Sequence, residues 1–173
     1  VMFHHFHDDK HREVQGSLSA NNFKRMIDWI SKNYSIIGAN EYKNKFNNNS
    51  LKENDVCLTF DDALKCQYDI AIPILNEYGI DAFFFIYSSA LTEKPDFLEI
   101  YRYFRTTSFD NIDEFYIAFF NIVENKDLLN YRKAHIFYKE IDYLAAFPFY
   151  SENDKWFRFL RDHFLERDNY DKI

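Results

Sequence analysis

The chain has 173 residues, enough for a domain with a sizeable buried core. Its 47% hydrophobic and 28% charged residues exclude wholesale disorder, and 3 Gly with 3 Pro argue against a loop-rich all-β sandwich. A net charge of −7 runs against the basic balance of a general nucleic-acid binder, and no apolar run approaches the ~20 residues of a membrane span.

Val1–Phe6 reads as a short strand that ends in histidines. Phe23, Met26, Ile27 and Ile30 then recur at i, i+3, i+4 and i+7, which predicts a helix capped by Ser19 and closing at Lys32 and Asn33. Ser35–Ile37 is expected as a short strand stopped by Gly38, Asn40–Phe46 as a second short helix, and Asn47–Ser50 as a loop. Val56–Phe60 is a compact apolar run entered from Asp55 and closed by Asp61 and Asp62; such a run predicts a central parallel strand buried on both faces. Alternation along it puts Cys57 and Thr59 on one side, Leu58 and Phe60 on the other. Tyr68, Ile70, Ala71, Ile72, Ile74 and Leu75 predict a helix with Gly79 as its C′ residue, and Pro73 demands a late start or a kink. Ala82–Tyr87 is the next buried strand. The alternating β–α order predicts a parallel sheet with helices on its outer faces.

The character changes after Ser89. Residues 90–173 hold 12 Phe, 8 Tyr and 1 Trp and no glycine. Phe97, Ile100, Tyr101 and Phe104, then Phe115, Phe119, Ile122 and Val123, then Leu160, Phe164 and Leu165 follow helical spacing. Asp110 and Asn111 can cap the second of these helices and Ser151 the last, and Pro148 is expected to end the long helix between them. The division is therefore an α/β core over 1–90 and an aromatic-rich helical insertion or subdomain over 91–173. An aromatic stripe at helical spacing is ordinarily core.

Cys57 and Cys66 are too few for a disulfide scaffold and read as buried free thiols. The first residues show neither the basic start nor the apolar core of a signal peptide, which leaves cytoplasm and cell envelope both open. The opening Val1, in place of Met, is read as the mark of a trimmed or partial chain.

The sharpest chemical signal is Leu58-Thr59-Phe60-Asp61-Asp62. Two adjacent acids stand where a buried strand ends, and ligands of α/β folds gather at that end. Capping of the following helix is the bland alternative. A phosphoryl-transfer site is disfavoured, because no Gly-rich phosphate loop or Lys-Ser/Thr pair is present. His4, His5, His7 and His11 are the second cluster. On an unbroken strand His4 and His5 face opposite sides, so only one of them is expected beside Asp61 and Asp62.

Thr59-Phe60-Asp61-Asp62, the Ile72-Pro73-Ile74-Leu75…Gly79 helix, the Ala82–Ile86 strand and the Phe3-His4-His5 start together resemble the polysaccharide deacetylase (NodB-homology, carbohydrate esterase 4) family. The resemblance covers roughly residues 1–90. It implies a barrel of the (β/α) type, here partial or irregular, and removal of N-acetyl or O-acetyl groups from a carbohydrate. Asp61 matches the family's general base and Asp62 its carboxylate ligand to a divalent cation, usually zinc; His4 and His5 are the candidate neighbours. The partner implied is an N-acetylated glycan or sugar precursor, with no nucleic acid.

The family's second motif, two metal-binding histidines in an H-[ST]-x-x-H-P setting, has no counterpart after Asp62, where only His135 and His163 remain. One carboxylate with one or two histidines is expected to hold zinc weakly, at low occupancy if at all, and this chain alone is expected to release little or no acetate. The alternative is a catalytically inactive glycan-binding or scaffolding relative.

Overall fold

The computed structural model describes residues 1–92 and 97–166. The chain is mixed α/β and divides into two compact units, Val1–Arg102 and Tyr103–Ile173.

In the first unit every strand pairing is parallel. Strand β1 (Met2–Phe3) precedes β2 (Phe6–His7), β3 (Leu18–Ser19), α1 (Ala20–Asn33), β4 (Ser35–Ile36), α2 (Ala39–Asn47), β5 (Asp55–Val56) and β6 (Thr59–Phe60). A single π turn (Gln67–Ala71), α3 (Ile72–Tyr78), β7 (Phe83–Phe84) and a 3₁₀ turn (Ser88–Leu91) complete the run before α4 (Phe97–Thr107). β6 is central in a three-stranded sheet of order β1-β6-β7, with Phe3 opposite Phe60 and Phe60 opposite Phe84. Two further ladders, β2–β3 and β4–β5, are separate from it.

The parallel neighbours expected for Val56–Phe60 are present, but the run is divided. Asp55–Val56 pairs with β4, and after Cys57 and Leu58 the chain joins β1 and β7 as β6. Val1–Phe6 is divided likewise: β1 lies in the central sheet, whereas β2 pairs with β3. Leu58 and Phe60 are fully buried and share one core with Phe3, Phe6, Phe23 and Ile27, as alternation requires. Its centre is aromatic. Phe3 and Phe6 each set an edge against Phe23 at 5.0 Å, and Phe60 stacks on Phe84 at 4.7 Å. Such contacts add roughly 0.5–1.5 kcal/mol per pair to the burial itself.

The buried strand expected at Ala82–Tyr87 is a correction. Among the described residues β7 is paired on one side only, with β6, and Phe85, Ile86 and Tyr87 are exposed beyond it. The helices fare better. Ser19 caps α1 by accepting from the Asn22 amide, and Phe23, Ile27 and Ile30 are its buried stripe. Ahead of Pro73 the chain makes its π turn, so the amide that proline lacks falls at the start of α3 rather than within it. Gly79 ends α3 with φ +66°, the left-handed C′ conformation that L side chains resist. The buried stripe there is Gln67, Ile70, Ala71, Ile74 and Leu75; Tyr68 points outward, contrary to expectation.

The second unit holds α5 (Ile112–Lys126), α6 (Leu128–Glu140), α7 (Glu152–Phe159) and a π turn (Leu160–Phe164). Asn111, Asp127 and Ser151 cap the three helices with their side chains. Phe115, Tyr116, Phe119, Val123, Trp156, Phe157, Phe159 and Leu160 form its core, so the aromatic excess is largely packing. Two expectations are corrected. α6 ends at Glu140, well before Pro148, and α4 buries none of its residues, leaving Phe97, Ile100 and Phe104 about half exposed. The expected helical span also includes residues 93–96 and 167–173, which lie outside the described residues.

Candidate active site

Asp61 and Asp62 leave the C-terminal end of β6, where the sheet's parallel strands all terminate on one edge. The strand is stopped sharply: Asp62 and Ala63 both have left-handed backbones, with φ of 77° and 51°. For residues with a Cβ each such conformation costs roughly 1–2 kcal/mol, and strain of this kind gathers at ligand sites.

His4 stands beside both acids. Its Nε2 lies 3.8 Å from an Asp61 carboxylate oxygen and 4.0 Å from one of Asp62. His5 also reaches the site: its Nε2 lies 3.5 Å from Glu99 Oε2, and a ring nitrogen lies within 4.8 Å of an Asp62 carboxylate oxygen. The expectation that only one of the two histidines could face the acids is therefore overturned. The reason is local: β1 stops at Phe3 and β2 begins at Phe6, so His4 and His5 occupy a break in which strand alternation no longer governs.

Burial, reinforced by the Arg102 guanidinium and by His4, pushes the His5 imidazole down to about 4. It is neutral at physiological pH, the form in which a ring nitrogen can accept a cation. His5 Nε2 is buried and has no hydrogen-bond partner. Together with Asp62 and Glu99 it forms a set whose ligand atoms all lie within 4.8 Å of one another, the one such three-residue set among the described residues. One imidazole and two carboxylates are a donor set that suits a divalent cation.

The remaining histidines are engaged elsewhere. His7 Nδ1 is 2.7 Å from the Ser17 hydroxyl, and His11 Nε2 is 2.8 Å from Asp69. His135 packs edge-on against Trp156, and His163 against Tyr143. Cys57 and Cys66 are buried and free, as read from sequence.

Two residues of the site escaped the sequence reading. Glu99 was hidden in a helical aromatic pattern with no motif around it. Gln67, only 2% exposed, donates its side-chain amide to the carbonyl oxygens of His4 and Asp61 and so ties the two site segments together. Its signal was available: a polar residue on the stripe that continues through Ile70, Ala71 and Ile74.

Residues 48–103 match the family model described as polysaccharide deacetylase. The match contains the Thr59–Asp62 strand end, the Pro73 helix and the Phe83–Phe84 strand on which the resemblance was read. No curated protein matches the chain. Among solved structures, a de-N-acetylase from Aggregatibacter actinomycetemcomitans is similar at 24% identity over 49% of this chain, with a TM-score of 0.41. A Streptococcus pyogenes deacetylase solved in complex with acetate is similar at 24% identity over 50%, with a TM-score of 0.40. This chain spans 35% and 40% of the length of those two proteins.

Proposed function

We propose that this chain, a polysaccharide deacetylase family member by the match at residues 48–103, takes part in removing acetyl groups from an N-acetylated carbohydrate with the help of a divalent cation. The observation that carries the reading is the Asp61–Asp62 pair at the end of a central parallel strand, with His4 within 4.0 Å of both carboxylates. On this reading the parallel strands are part of a larger β/α barrel, and the helices after residue 91 are an insertion or subdomain.

In that reaction water attacks the acetyl carbonyl carbon, the C–N bond breaks, and the amine leaves with a proton. The products are acetate and a free amino sugar. Asp61 is the base that takes the proton from water. Of the two acids it is the more open, at 29% side-chain exposure against 12% for Asp62, which suits a group that must meet solvent and substrate. Asp62, turned inward towards His5 and Glu99, is the cation-facing carboxylate. When bound, a divalent cation supplies Lewis acidity, polarising the amide carbonyl and lowering the pKa of water. His4 stands at the open rim beside Asp61. Gln67 keeps the His4 and Asp61 backbones in register.

The test is acetate release from an N-acetylated oligosaccharide with zinc, comparing the protein with Asp61→Asn. Loss of a general base predicts a fall of roughly 10²–10⁴-fold. Release unchanged in the variant would remove Asp61 from the role. Sugar binding without release by either form would favour the glycan-binding alternative.

A further inference from the structure

We propose that His5, Asp62 and Glu99 are the ligands of a single divalent transition-metal ion, with Glu99 supplying from α4 a carboxylate that no sequence motif announces. The inference deepens the deacetylase reading and rests on it for the cation-facing role of Asp62. Geometry carries the rest.

The three side chains come from separate places in the first unit: the break after β1, the strained turn after β6 and the first turns of α4. Nothing in local sequence brings them together, yet their ligand atoms lie within 4.8 Å of one another. Ligands held at ~2.0–2.1 Å in a tetrahedron are about 3.3 Å apart. The His5–Glu99 separation of 3.5 Å is already close to that spacing.

Two details favour an ion over a bare charge cluster. His5 Nε2 is buried without a hydrogen-bond partner, and buried polar atoms of that kind call for one. Glu99 is oriented from behind: Arg102 Nη1 donates to its Oε1 at 2.7 Å, while Oε2 is the oxygen that faces His5. This is how outer partners aim ligating carboxylates. The set gives the chain three protein ligands, the number that leaves a catalytic zinc with an open position. On this proposal the chain holds zinc more tightly than one carboxylate and one or two histidines would.

The experiment is a zinc titration of the metal-free 173-residue chain against a chromogenic chelator, with Glu99→Gln, Asp62→Asn and a His7→Ala/His11→Ala double variant alongside. One zinc per chain is expected, with Glu99→Gln and Asp62→Asn each weakening it at least roughly tenfold and the double variant changing it by less than about twofold. Zinc held as tightly by Glu99→Gln as by the parent, or affinity lost in the double variant, would overturn the site. If Glu99→Gln does not fold, the absorption bands of bound cobalt in the parent and in Glu99→Asp decide: altered bands support ligation and identical bands refute it. Acetate release on the same samples separates the two readings. Glu99-dependent zinc binding without release keeps the site and removes the deacetylase; release with zinc affinity indifferent to Glu99 does the reverse.

Discussion

Gln67, inside the core of the first unit, donates its side-chain amide to the main-chain carbonyl of Asp61 and also, at 2.8 Å, to that of His4. A helix residue thereby fixes the spacing of two loops that carry the candidate chemistry. Gln67→Leu keeps the volume but leaves both carbonyls without this donor. The expected loss is about 1–3 kcal/mol of unfolding free energy, measured by urea denaturation, together with a fall in any acetate release. A variant as stable as the parent would show that water replaces the amide.

Ala63 offers the opposite change. Its φ of 51° is unfavourable for a residue with a Cβ, and nothing about alanine requires it there. Ala63→Gly is expected to stabilise the fold by up to about 1 kcal/mol, because removal of the Cβ strain exceeds the entropy that glycine adds to the unfolded chain. Thermal unfolding checks the sign.

The buried imidazole of His5 makes the metal-free protein acid-sensitive. Its folded pKa is about 4 against 6.5 ordinarily, so between those values the unfolded chain binds the proton and the folded one refuses it. Stability is full above about pH 6.5 and falls as the pH drops towards 4, by on the order of 2–3 kcal/mol. His5→Phe should flatten that part of the stability–pH curve. Equal slopes in parent and variant would place the effect elsewhere.

Burial raises the thiol pKa of both Cys57 and Cys66 and denies reagents access to them. Neither is expected to react with a disulfide reagent at pH 8 in the native protein, and both should react after denaturation. Rapid native reaction of either would contradict its burial.

The sequence conveyed what depends on local pattern. Ser19 as a cap, Gly79 as a left-handed terminus and the burial of Leu58 and Phe60 all follow from short-range rules, and each is found. The Asp61–Asp62 pair was legible because a buried apolar strand cannot continue into two acids. What escaped was set by tertiary structure. The break at His4 and His5 arises because β1 and β2 join different ladders, a choice made by Thr59–Phe60 and by Leu18–Ser19 far along the chain. Phe85–Tyr87 read as buried because periodicity reports apolar character and cannot tell whether a strand has neighbours on both sides. Glu99 enters the site through the placement of α4, which no spacing rule specifies.

The central claim is that the end of β6 is a cation-dependent site built on Asp62. Anomalous diffraction at the zinc edge, from crystals of the protein grown with zinc, tests it most directly. The account predicts one peak at about 2.0–2.2 Å from an Asp62 carboxylate oxygen, with His5 Nε2 and Glu99 as its other protein ligands and Asp61 beside it. A peak held by His7 or His11, with none at Asp62, would contradict it.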